Sequence, residues 1–367
     1  MALELVVQQS ATRATAGNAR ARRRVPDRAL APAVRQLAVL IGAGVAVVDS
    51  LRLVAEQSEE RRVRAGFDDI AREVEQGSTL AGAVTSRTDV FPPLAASLVR
   101  AGEVGGVLES VLHRLAAHLE QSARLRRTVL GALVYPAVVV AAAVAVTAVL
   151  LVWVVPVFAT AFAGAGAELP MPTAAVLALS DVLRSQWPLG LGVTAVLGAL
   201  LAIVLRTPRG RQLRDGWLLR LPGLGPLLAK AAVARAARTL GTLLGCGVAV
   251  LDALDIASRT AGNQVVADAL EVARTQLARG GSLGASLAEH AVIPAVARQM
   301  IGVGESTGTL DVMLARVADC CDDDVQAATA TLLAVLEPAL ILFLGLVIGG
   351  LVVSMYLPIF RLGATLG

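Results

Sequence analysis

Two stretches of this chain are nearly the same stretch. Ile41–Asp49 reads IGAGVAVVD and Leu244–Asp252 reads LGCGVAVLD, an offset of 203. AGEVGGVL at Ala101–Leu108 returns as VGESTGTL at Val303–Leu310, at an offset of 202. Tyr135-Pro136 returns as Glu337-Pro338, and Pro156–Phe158 returns as Pro358–Phe360, again at 202. A register that slips once across so long a stretch marks an internal duplication, and a duplicated chain folds as two similar units.

The repeated segments are helical in period. Leu108, Val111, Leu112, Leu115 and Leu119 fall at i, i+3, i+4, i+7 and i+11. Leu310, Met313, Leu314, Val317 and Cys321 keep that spacing in the second copy with different side chains. One apolar stripe on an amphipathic helix has this form. Gly42 and Gly44, with Gly245 and Gly247, suit a helix end and a turn. Asp49 and Asp252 fall near a helix start, where a carboxylate is favoured. Gly77 and Gly280 end a further helix, Thr79 and Ser282 read as N-caps, and Pro92 and Pro294 open the next helix. No strand alternation is found. The fold class expected is all-α.

Composition places this helical chain in a membrane. It is 56% apolar and 17% charged, with a mean hydropathy of +0.68. Long charge-free runs of that kind read as membrane spans. The expected organisation is a basic, disordered tail at 1–30 and a first cytoplasmic bundle at 31–128. Transmembrane helix 1 follows at 129–158, an extracytoplasmic loop at 159–186 and transmembrane helix 2 at 187–205. A second cytoplasmic bundle is expected at 206–331, transmembrane helix 3 at 332–360 and a short extracytoplasmic tail at 361–367. Arg124, Arg126 and Arg127 precede the first span, and Arg206, Arg209, Arg211 and Arg214 follow the second. The excess of arginine on those sides puts the N-terminus and both bundles in the cytoplasm. The middle span restores parity, so both copies face the same side, as parallel rather than inverted repeats.

In order along both copies, the motifs resemble those of the inner-membrane platform protein of type II secretion systems and type IV pili. The resemblance covers about Ala33–Phe360. Its supports are the duplicated L-x-G-x-G-V-x-x-x-[DE] segment, the Gly77–Leu80 and Gly281–Leu283 segments, and the paired G-E-x-x-G-x-L motifs. Tyr135-Pro136, Glu337-Pro338, Tyr356–Phe360 and Leu221–Leu227 (LPGLGPL) add to it. The first 30 residues do not match the family, and Ile293-Pro294 stands where the family shows Phe-Pro. The resemblance implies two cytoplasmic bundles and three spans in the bacterial inner membrane. It implies a scaffold on which pilins or pseudopilins are assembled, driven by a cytoplasmic ATPase, alongside other inner-membrane assembly proteins. The family is not catalytic. A homo-oligomer is expected, with no nucleic acid bound directly and no cofactor.

The residue inventory offers an enzyme little. There is no phosphate-binding G-x-x-x-x-G-K-[ST] loop, and Lys230, the only lysine, has no glycine loop before it. His113, His118 and His290 share no metal-ligand spacing, and His113 and His118 read as exposed helix residues. Cys246, Cys320 and Cys321 form no zinc pattern and read as core filler. Asp322, Asp323 and Asp324 read as a solvated face. Glu103 and Glu305 occupy the same place in each copy. They either satisfy turn amides, or pair an arginine such as Arg100, or contact the ATPase or another cytoplasmic partner. Glu337 lies beside an apolar span and is a candidate for coupling the second bundle to the membrane, with Pro338 placed to break or bend the helix. Gly345 and Gly349 form a G-x-x-x-G face for packing against span one or a second protomer. The alternative to a platform is an oligomeric transporter or channel subunit, which would show ionisable residues or broken spans facing a pore.

Overall fold

The helices of the first copy recur in the same order in the second. In the computed structural model, residues 25–157, 171–185, 198, 207–220 and 224–366 are described. The first copy comprises α1 (Asp27–Gly42), α2 (Val47–Gln57), α3 (Arg61–Glu75), α4 (Leu80–Ser86), α5 (Pro93–Gly105) and α6 (Leu108–Val149). Between the copies lie α7 (Met171–Ser185) and α8 (Pro208–Arg220). The second copy comprises α9 (Leu224–Gly245), α10 (Val250–Thr260), α11 (Gln264–Ala278), α12 (Leu283–Ala288), α13 (Ala295–Thr307) and α14 (Leu310–Leu366). No strand occurs among the described residues.

Local chemistry sets these boundaries. The turn after α1 passes through Gly44 at φ +83° and the matching turn through Gly247 at φ +80°, a region costly to residues with a Cβ. Thr79 Oγ1 accepts the Gly82 N–H at 3.1 Å, and Ser282 Oγ accepts the Ala285 N–H at 3.3 Å, so each caps a short helix. Pro92 and Pro294 occupy N-cap positions, where a missing N–H costs nothing.

The chain divides into two compact units, Met1–Leu125 with Ala232–Cys321, and Arg126–Ala231 with Asp322–Gly367. The first unit holds both bundles. Its hydrophobic cluster runs continuously through the two copies, from Leu30, Leu51, Phe67 and Leu115 to Leu240, Leu254 and Val317. The stripe on α6 is spent there: Val111, Leu112, Leu115 and Leu119 are buried. Cys321 is buried on the equivalent stripe of α14 and Cys246 packs at the edge of the core. Burying each large aliphatic side chain contributes about 1.5–3 kcal/mol. The segment from 206 to Ala231, expected in the second bundle, groups instead with the apolar unit. Its α8 and the start of α9 precede the first second-copy core residue, Ala232.

Among the described residues, two helices are long and apolar enough to cross a membrane. They are Val134–Val157 and Leu310–Leu357, whose most apolar 18-residue stretches have mean hydropathies of 2.9 and 2.5. Val138, Val144, Leu342 and Leu346 on them are exposed, as lipid-facing side chains would be. The expected span at 187–205 lies outside the described residues apart from Gly198. The 159–186 region is not simply a loop, because α7 occupies Met171–Ser185. Its Val176 and Leu177 pack on Leu151, Val155 and Leu351. Residues 1–24 of the expected tail lie outside the described residues, and α1 begins inside it at Asp27. The expected tail at 361–367 is the end of α14 as far as Leu366.

Candidate functional site

The G-E-x-x-G motif and the G-[ST]-L motif, 22 to 23 residues apart in sequence, meet in space. Glu103 sits on α5 and takes the Leu80 N–H at 2.6 Å and the Ala81 N–H at 3.0 Å. Glu305 sits on α13 and takes the Leu283 N–H at 2.7 Å, the Gly284 N–H at 2.8 Å and the Ser282 hydroxyl at 2.6 Å. The first N–H groups of a helix have no partner within it. Here a carboxylate from the next helix supplies one, so each glutamate clamps α4 to α5 or α12 to α13. Partial burial pushes the Glu305 carboxyl up, but its bonds to Ser282, Gly284 and Leu283 outweigh that and hold it below the ordinary range. The glycine before each glutamate lets the following helix close in. A Cβ at Gly102 would meet the Leu108 Cα at 3.1 Å, and one at Gly304 would meet the Met313 Cβ at 2.8 Å. Arg100 is exposed and does not pair with Glu103.

The two copies touch along one seam in the bundle unit. Helix α5 of the first packs against α10 of the second. The seam opens into a cleft of about 660 Å³, lined on one side by Ser97, Arg100 and Val104 and on the other by Val248, Asp252 and Ile256. Further along the seam α6 meets α9: Arg238 donates to Gln121 Oε1 at 2.6 Å and to Asp319 Oδ1 at 3.1 Å. Burial raises the Cys246 thiol pKa, and Arg114, charged and hydrogen-bonded to it, offsets part of that rise. Its equivalent in the first copy is Ala43, so the thiol is a feature of the second copy alone.

Glu337, Gly345 and Gly349 fall in the apolar unit. Glu337 is exposed on α14, and that helix runs unbroken through Pro338. A Cβ added at Gly345 or at Gly349 meets nothing within 4 Å, so the G-x-x-x-G face is open. Asp324 pairs with Lys230 at 2.6 Å. His113 and His118 are half-buried rather than exposed, because the packed surface of α6 is wider than its leucine stripe. Among the described residues no group of three or more His, Cys, Asp or Glu is arranged to hold a metal ion.

Sequence reasoning missed a polar feature of the apolar unit. The helix widens into a π-turn at Leu150–Val154. Ser180 on α7 donates to the Leu151 carbonyl at 2.5 Å, and Thr173 donates to the Ser354 carbonyl at 2.6 Å. A π-turn displaces carbonyls from their usual partners, and in an apolar medium the freed Leu151 carbonyl has to be satisfied. The signal available was the pair of hydroxyls, Thr173 and Ser180, seven residues apart on one helix face.

Comparison with known proteins agrees with the duplication. The family described as Type II secretion system (T2SS), protein F matches residues 33–156 and again residues 236–358. The chain is 43% identical over 338 residues to the Type IV pilus assembly protein PilC of Myxococcus xanthus, covering 90% of this chain and 80% of that protein. It is 41% identical over 334 residues to the protein of the same name from Thermus thermophilus, covering 90% and 82%. It is 36% identical over 339 residues to the Type II secretion system protein F of Xanthomonas campestris pv. campestris, covering 92% and 84%.

Proposed function

The chain belongs to the type II secretion system protein F family, and from that premise we propose that it is a non-enzymatic inner-membrane platform of a type II secretion or type IV pilus machine. In this reading the paired bundles lie in the cytoplasm and engage an assembly ATPase. The spans hold the site where pilins or pseudopilins enter the growing filament. The observation that carries it is the tandem arrangement, in which each family repeat ends in a long helix whose apolar part is able to cross the membrane. Arginines 124, 126 and 127 before the first such helix support cytoplasmic bundles. The names of the relatives, pilus assembly PilC and secretion protein F, support a place in filament-building machinery.

The geometry of the candidate carboxylates narrows the contact surface. Glu103 and Glu305 are committed to helix amides, so they shape the bundle surface and leave the charge contacts to others, such as Arg100 on the rim of the cleft. Glu337, exposed beside the apolar helix, is proposed to couple the bundles to the membrane. The Gly345/Gly349 face is proposed as a helix-packing surface. The test is deletion and complementation in the native host, counting surface filaments and measuring the machine's exported protein. Loss of one of these, restored by the wild-type chain, is expected. Normal filaments and normal export in the deletion strain would sink the proposal.

A further inference from the structure

The two copies pack head to tail, and that leaves one unsatisfied surface of each kind. The seam joins α5 and α6 of the first copy to α9 and α10 of the second. A contact between two different surfaces of similar units is heterologous, and it leaves the complementary surface free at each end. At one end the free surface is α13 with the start of α14, the equivalents of α5 and α6. At the other it is α1 and α2, the equivalents of α9 and α10. Helices α2 and α13 make no contact with each other.

Burial records the difference position by position. On α13, Val296 is 61% exposed, whereas its counterpart Leu94 on α5 is 1% exposed. Val303 is 49% exposed where Ala101 is half-buried in the cleft wall. On α2, Leu53 is 37% exposed, whereas its counterpart Ile256 packs against the core and lines the cleft. The Arg35 side chain is 46% exposed and turns to Glu120 of its own copy, whereas the matching Arg238 side chain is 11% exposed and bridges to Gln121 of the other copy. Val39 is exposed on α1 where Thr242 is half-buried on α9. Val296, Met300 and Val303 form an i, i+4, i+7 apolar stripe on one helix. Met300 is half-buried at its centre, and both ends of the stripe stand open. Arg316, the counterpart of the seam residue Arg114, is exposed on the first turns of α14.

We propose that the occupant of both free surfaces is a second copy of this chain, bound through the same contact that joins the two repeats. The Val296/Met300/Val303 face of one molecule packs on the Val39/Leu53 face of the next. Arg316 takes the place beside Ala43 that Arg114 takes beside Cys246 within the chain. A heterologous contact repeated from chain to chain gives a ring where its rotation closes and a filament where it does not, and anchoring of all chains in one bilayer favours the ring. The seam inside the chain is thus one step of a ring whose other steps lie between chains. The contact rests on the repeat geometry, and its closure into a ring rests on the membrane anchoring proposed above.

The test is crosslinking of the full-length protein in native membranes, with Cys320→Ser and Cys246→Ala as background. One tagged chain carries Leu53→Cys and a differently tagged chain carries Val303→Cys. A short bis-maleimide is expected to give a heterodimer when they are co-expressed and no dimer from either variant alone. The double variant in one chain is expected to give a ladder whose last rung is the ring. Ala101→Cys with Ile256→Cys, the counterpart pair inside one chain, serves as the reference and is expected to link without changing mass. A Val303→Cys homodimer as abundant as the heterodimer means a two-fold contact and overturns the proposal. Capture of a different protein at Val303→Cys, or no heterodimer while the reference pair links, also overturns it. Failure of the reference pair removes the template and with it the proposal. Absence of the heterodimer in cells that still assemble filaments sinks this inference and leaves the platform reading standing.

Discussion

Replacing Glu305 isolates the clamp that the repeated motif builds. Its carboxylate holds three donors: Ser282 Oγ at 2.6 Å, Leu283 N at 2.7 Å and Gly284 N at 2.8 Å. A hydrogen bond to a charged group is worth about 1.5–3 kcal/mol net when buried, but this group is partly open to solvent and water replaces some of each bond. Loss of an N-cap acceptor costs about 1 kcal/mol, and two orphaned amides with a lost hydroxyl partner put Glu305→Ala at about 1–2 kcal/mol. Glu305→Gln keeps one acceptor oxygen and should cost about half as much. The assay is hydrogen exchange by mass spectrometry on the detergent-solubilised full chain. The peptide spanning Ser282–Ser286 should lose about 10-fold in protection, since about 1.4 kcal/mol is tenfold in an opening equilibrium, while α10 and α11 stay unchanged. The folded-state pKa of Glu305 is depressed, so its contribution is fully present above the ordinary glutamate value of about 4.3. It is lost as pH falls through the lower folded value. The gap in protection between wild type and Glu305→Gln should therefore close only in that acid range. Unchanged protection at Leu283 and Gly284 in Glu305→Ala would refute the clamp.

Other substitutions test separate parts of the account. Gly304→Ala forces a Cβ to within 2.8 Å of the Met313 Cβ and should destabilise the bundle unit by about 1–3 kcal/mol. Gly302→Ala, whose Cβ would meet nothing within 4 Å, should be neutral or stabilise α13 by up to about 1 kcal/mol; thermal denaturation of the pair checks the contrast. Ser180→Ala removes the donor to the Leu151 carbonyl and should cost about 0.6–2 kcal/mol, read as a lower unfolding midpoint in mixed micelles. Gly345→Leu with Gly349→Leu should leave the bundle unit's exchange pattern intact, since both positions open onto free space. If that face packs helices, the pair should reduce helix association in a membrane two-hybrid assay.

The parts of this architecture that were legible in sequence are the local ones. Helix period, the Thr79 and Ser282 caps and the glycine turns depend on neighbours within about four residues, and the duplication displays each of them twice. The target of Glu103 was legible only as a class, turn amides or an arginine. Its partners Leu80 and Ala81 are fixed by how α4 folds back on α5, and spacing alone does not encode that. The half-burial of His113 and His118 escaped because the leucine stripe marks the centre of a packed face and not its width. Helix α7 escaped because its hydrophobic run, Thr173–Val182, is shorter than a span and carries two hydroxyls, Thr173 at its start and Ser180 within it. The seam between copies was invisible for a different reason. Equivalent positions, such as Leu53 and Ile256, are both apolar, and only the folded chain shows that one is covered and the other is not.

The most direct test of the platform reading is binding and hydrolysis measured together on one sample. The full-length protein in lipid nanodiscs is titrated with an assembly ATPase of the host's type II secretion or type IV pilus machinery. Complex formation is followed by light scattering and nucleotide hydrolysis by phosphate release. The account predicts no hydrolysis by the nanodisc protein alone and saturable binding of the ATPase to it. Hydrolysis by the chain on its own, or no binding to nanodiscs that hold folded protein, would contradict it.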